Sequence, residues 1–87
     1  MANVHIPTQM RQLCGGQELV KIPGKTVREL IEELEHRFPG VKNYLLDGND
    51  LRPSIAVWVD GELAPAGLLE TVGPESEVHF MPAIGGG

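Results

Sequence analysis

Eighty-seven residues, 41% of them hydrophobic and 22% charged, suffice for one globular domain with a modest core and leave no room for a second. The formal charge of -5, with seven Lys and Arg residues spread along the chain, argues against non-specific nucleic-acid binding, and no apolar run has membrane-spanning length. A basic protein partner is the better electrostatic match. The single cysteine, Cys14, excludes an intramolecular disulfide, no Cys or His cluster has the spacing of a zinc site, and residues 1–10 lack the basic and apolar stretches of a signal peptide, so a cytoplasmic location is expected.

From Asn3 to Thr8, Val4 and Ile6 alternate with His5 and Pro7, the period-two pattern of a half-buried strand. Gly15 and Gly16 allow a reversal within Gln12–Gln17, and Leu19–Ile22 resumes an extended pattern with Val20 and Ile22 on one face, predicting an amino-terminal hairpin. Thr26 and Glu29 form a capping box in which the Thr hydroxyl accepts a free helix N–H and the Glu reaches back to the cap. Val27, Leu30, Ile31, Leu34 and Phe38 then recur at helical spacing. Arg28, Glu29, Glu32, Glu33 and Glu35 are left in solvent, with Arg28–Glu32 and Glu33–Arg37 as surface pairs. Pro39-Gly40 ends the helix.

Val41–Leu46 fits one further helical turn, and Asp47–Pro53 reads as an irregular loop. Ile55, Val57 and Val59 form the inward face of a strand, Asp60-Gly61 is a hairpin dipeptide leading into Glu62–Ala64, and Glu77–Met81 is a last strand with Val78 and Phe80 inward. One helical stripe and several half-apolar strands are buried most simply as an α+β sandwich, a mixed sheet of four to five strands on one main helix. Residues 1–82 make up this domain and 83–87 a flexible tail.

The chain closes with Pro82-Ala83-Ile84-Gly85-Gly86-Gly87. Three glycines have no side chains to pack, but they can thread a narrow cleft, and five extended residues reach at most about 17 Å. A terminal carboxylate, with an ordinary pKa near ~3.5, is ionised at neutral pH and must be activated before a nucleophile can attack it.

Ile6-Pro7-Thr8, Arg11, Gly15-Gly16-Gln17 with Val20, and the ending Phe80-Met81-Pro82-Ala83 before the glycines resemble the ThiS/MoaD/CysO sulfur carriers along the whole chain. The resemblance implies the ubiquitin-like β-grasp fold and a Gly86-Gly87 terminal pair; Gly85 stands where relatives commonly have Ala or Ser. It further implies that the Gly87 carboxylate is adenylated by an adenylyltransferase/sulfurtransferase of the ubiquitin-activating type, using ATP bound by that enzyme. The carrier itself binds no cofactor, is not an enzyme, and passes sulfur from its thiocarboxylate to a biosynthetic enzyme. A processing or hydrolysing metalloprotease is a further implied partner. The pattern is nearest to the carriers of cysteine biosynthesis, with molybdopterin and thiamin as the other pathways. A ubiquitin-like modifier joined through Gly87 to target lysines, and an adaptor that never activates its tail, remain open alternatives.

Among side chains, Cys14 reads as a passive turn thiol and not as a thioester or persulfide site, and His5, His36 and His79, weighed as metal ligands or bases, read as surface residues because they lie on separate elements. With Val57 and Val59 inward, Trp58 turns to the open sheet face beside His79 and Met81. That patch, with the tail root Pro82, Ala83 and Ile84, is the expected partner-binding surface.

Overall fold

The computed structural model describes residues 1–82. The chain runs β1 (Ala2–His5), a 3-10 turn (Thr8–Met10), β2 (Leu19–Ile22), α1 (Val27–Arg37), α2 (Val41–Leu45), β3 (Leu46–Asp47), β4 (Asp50–Leu51), β5 (Ile55–Val59), β6 (Glu62–Leu63), a 3-10 turn (Gly67–Leu69) and β7 (Glu77–Pro82). Five strands form a mixed sheet ordered β2-β1-β7-β5-β6, in which β1 and β7 are parallel and every other pairing is antiparallel. The first and last strands of the sequence thus lie side by side at its centre. The helices cover one face, giving the expected β-grasp arrangement of a sheet wrapped on one main helix.

Helix α1 starts where the Thr26 hydroxyl accepts the N–H of Glu29 at 3.3 Å. Glu29 reaches one residue further back than the capping box predicts, accepting the N–H of Lys25 at 2.9 Å. Val27, Leu30, Ile31 and Leu34 are buried against Val4, Val20, Ile22, Val57, Val78 and Phe80 of the sheet. Each such side chain gains about 1.5–3 kcal/mol from leaving water, so one helical stripe holds the two layers together.

Two surface expectations change because the chain after α1 folds back on it, first as α2 and then as the segment around Asn49. Glu35 is not solvated; its carboxylate accepts the N–H groups of Gly40 at 3.2 Å and Lys42 at 2.8 Å and so caps the second helix. Glu32 pairs with Lys42 at 2.8 Å, not with Arg28, which donates to the Asn49 carbonyl at 2.9 Å. The Glu33–Arg37 pair forms as expected at 3.0 Å.

Strand β1 ends at His5, two residues before Pro7, which lacks the N–H to continue a ladder. Asp47–Pro53 is not wholly irregular, because β3 and β4 pair through Leu46–Leu51 and Asp47–Asp50. At the β5–β6 turn both Asp60 (φ 53°) and Gly61 (φ 85°) are left-handed, the conformation that a two-residue hairpin of this kind requires. The Asp60 carboxylate then accepts the Ser76 hydroxyl at 3.0 Å and the Glu77 N–H at 2.9 Å, pinning the start of β7 to the end of β5.

Candidate functional site

The helices cover only one face of the sheet, so alternation delivers the other face to solvent. Register decides which residues meet there. His5 lies opposite Leu19 on one side and His79 on the other; His79 lies opposite Trp58, and Trp58 opposite Leu63. A single row, Leu19–His5–His79–Trp58–Leu63, therefore crosses all five strands. Met81, opposite Ala56, extends it toward the end of β7.

The row is apolar at both ends. Leu19 is 44% exposed, Leu63 54% and Met81 48%, while Trp58 is half-buried. At its centre the rings of His5 and His79 stack with centroids 3.9 Å apart and planes 8° from parallel. Glu77, on the same face of β7, accepts from Asn3 Nδ2 at 2.7 Å and is hydrogen-bonded to His5 Nε2 at 2.6 Å. These hydrogen bonds, from His5 first and Asn3 second, hold the Glu77 carboxyl below its ordinary value. Desolvation, then the charge of neighbouring His5, pushes His79 down against a smaller opposing pull from Glu77, which favours the neutral imidazole.

Strand β7 carries the chain from this face to the tail. Its last described residue, Pro82, pairs with Ile55. Beside that point a groove of about 480 Å³ is lined by Pro7, Gln9, Asn43, Tyr44, Arg52, Ser54, Ile55, Phe80 and Met81. The 3-10 turn and α2 bring its walls together.

The structure thus brings together Trp58, His79 and Met81, as period-two geometry predicts. Ala83, Ile84, Gly85, Gly86 and Gly87, including the carboxylate assigned the chemistry, lie outside the described residues. Leu19, Leu63 and Glu77 join the patch without having been singled out in the sequence, and His5, read there as an isolated surface residue, stacks on His79. Their parity was legible, but not the parallel pairing of β1 with β7 that sets His5 against His79. Cys14 is fully buried, and burial pushes its thiol pKa up, as fits an inert thiol.

Against known proteins, the ThiS family model matches residues 4–87. The sulfur carrier protein CysO of Mycobacterium tuberculosis is 30% identical over 97% of this chain and 96% of its own length. A chain in the crystal structure of the Amycolatopsis orientalis BexX/CysO complex superposes with a TM-score of 0.91 at 34% identity, covering all of both chains. The crystal structure of Mycobacterium tuberculosis CysO superposes with a TM-score of 0.87 at 28% identity over 97% of this chain and all of that one. The small archaeal modifier protein SAMP1 of Methanosarcina acetivorans, 20% identical with a TM-score of 0.81 over 99% of this chain and 95% of its own, shares the fold. The chain belongs to the ThiS family.

Proposed function

We propose that this member of the ThiS family is a sulfur carrier whose Gly87 carboxylate is adenylated by a partner enzyme and converted to a thiocarboxylate that donates sulfide in biosynthesis. The observation that carries the proposal is the end-to-end match to proteins named as sulfur carriers, in a family match that extends through Gly87 itself. Cysteine-type biosynthesis is the favoured destination, because those relatives are CysO proteins.

The chemistry follows from the carboxylate. An oxygen of Gly87 attacks the α-phosphorus of ATP held by the partner, and pyrophosphate leaves. A hydrosulfide ion then attacks the acyl-adenylate carbonyl, AMP departs and a proton is released, leaving the thiocarboxylate. This chain supplies no catalytic group to either step. It supplies reach, about 17 Å for residues 83–87 fully extended, and three residues without side chains that fit a narrow cleft.

The open face supplies recognition. Trp58, His79 and Met81 dock the activating enzyme, with Pro82, Ala83 and Ile84 directing the terminal glycines from that surface into its active site. The assembly of a CysO relative with BexX supports a docking role for this fold.

The test is incubation with ATP, the cognate adenylating enzyme and a sulfur source, followed by intact-mass measurement. The expected product carries one sulfur in place of one oxygen at Gly87, and deletion of Gly86-Gly87 abolishes it. Sulfur acceptance by the truncated chain would overturn the proposal. Branched peptides on target lysines, with no thiocarboxylate formed, would favour the modifier alternative.

A further inference from the structure

His5, Glu77 and His79 are the one group of His, Cys, Asp and Glu among the described residues whose three ligand atoms all lie within 4.8 Å of one another. They share one sheet face: Glu77 and His79 are two residues apart on β7, and His5 is the register partner of His79 on parallel β1. We propose that this cluster binds a divalent transition-metal ion of the zinc type through two imidazoles and one carboxylate, clamping β1 to β7. The site goes beyond the carrier function and does not depend on it.

The donor set decides the class of ion. Two imidazoles with one carboxylate suit zinc and its first-row neighbours, whereas magnesium and calcium prefer oxygen ligands throughout. Bonds of about 2.0–2.1 Å in a tetrahedral arrangement place ligand atoms roughly 3.3 Å apart. The present separations are close to that figure: His5 Nε2 and Glu77 Oε1 stand at 2.6 Å, and all three ligand atoms lie within 4.8 Å of one another. Modest side-chain rotation therefore suffices.

The stacked rings define the movement. With planes 8° from parallel, the nitrogen lone pairs of His5 and His79 run side by side and do not converge, so one ring must turn about its Cβ–Cγ bond. That torsion has broad wells, and both rings face solvent only partly covered. The metal takes the place of the His5–Glu77 hydrogen bond and bridges the same two side chains. Water completes the coordination. Asn3, which donates to the other oxygen of Glu77, orients the carboxylate as an outer partner.

The test is calorimetric titration of the full chain with zinc chloride in excess magnesium. One equivalent should bind, with Tm rising as zinc is added and continuing to climb with the logarithm of free zinc beyond saturation. Trp58, the single tryptophan of the chain and the register partner of His79, should report the same midpoint in its fluorescence. Glu77→Gln and His79→Ala should each weaken binding by more than the roughly 10- to 100-fold that follows loss of a ligand's outer partner. His36→Gln, a histidine on the helix side, should bind as the parent does. Glu77→Gln preserves shape, so it remains informative if His79→Ala fails to fold. Zinc affinity unchanged in Glu77→Gln, or no zinc uptake by the folded parent, would overturn the proposal.

Discussion

If the open face docks the activating enzyme, its most exposed apolar side chains should carry measurable affinity. Met81 and Leu63 are the informative pair, because they stand on different strands and neither is the other's register partner. Burying a Leu or Met side chain completely is worth about 1.5–3 kcal/mol. Met81 is already about half covered at 48% exposure and Leu63 at 54%, so docking gains about 0.8–1.5 kcal/mol from each. At 1.4 kcal/mol per decade, each Ala substitution should raise Kd roughly 3- to 12-fold, and the double variant roughly 10- to 150-fold if the two add. The covered halves are lost from the folded state as well, so each substitution should also lower Tm by roughly 3–12 °C without unfolding the protein at assay temperature. Leu69→Ala is the control: at 73% exposure it is the more exposed leucine, but it sits in the 3-10 turn beneath α1, on the other layer. Calorimetric titration against the cognate adenylating enzyme distinguishes the outcomes. Parental affinity in the Met81/Leu63 double variant, or an equal loss in Leu69→Ala, would refute docking through the sheet face.

Gly24 stands where an added Cβ would lie 2.9 Å from Leu30 Cδ2 and 3.2 Å from the Leu30 backbone nitrogen, so Gly24→Ala should cost about 1–3 kcal/mol and lower Tm accordingly. An unchanged Tm would show that the β2–α1 connection yields more readily than this packing implies. Burial raises the pKa of Cys14 above its ordinary 9.0, so above that pH the unfolded chain loses a proton that the folded chain keeps. Stability from this group is therefore complete below about pH 9 and is lost as pH rises beyond it. Urea midpoints measured from pH 7.5 to 10 should fall at the alkaline end, and less steeply in Cys14→Ala; identical slopes would refute the assignment.

Local chemistry made most of the fold readable. The Leu19–Ile22 strand, the Thr26 cap, the Val27–Leu34 stripe and the Asp60-Gly61 turn each depend on residues a few positions apart, and each forms where its pattern places it. The departures involve partners that helical and strand periodicity do not reveal. Glu35 looked solvated because its acceptor role depends on where Gly40 and Lys42 fold back, and Arg28 left Glu32 because Asn49, 21 residues on, offered a carbonyl. The same distinction governs the site. Alternation along β5 and β7 sufficed to put Trp58, His79 and Met81 on one face, because side-chain direction in a strand is local. Spacing alone gave no sign of a metal-binding group, since His5 and Glu77 lie 72 residues apart. Only the parallel pairing of the first strand with the last places His5 on His79 and Glu77. That pairing also bears on the proposed function, because the strand that carries His79 and Met81 on the open face is the last one before the terminal glycines of the sequence. On the proposed function, an enzyme that grips the row across β1, β7 and β5 would also hold the root of the tail, and recognition would be coupled to delivery of Gly87 through a single strand.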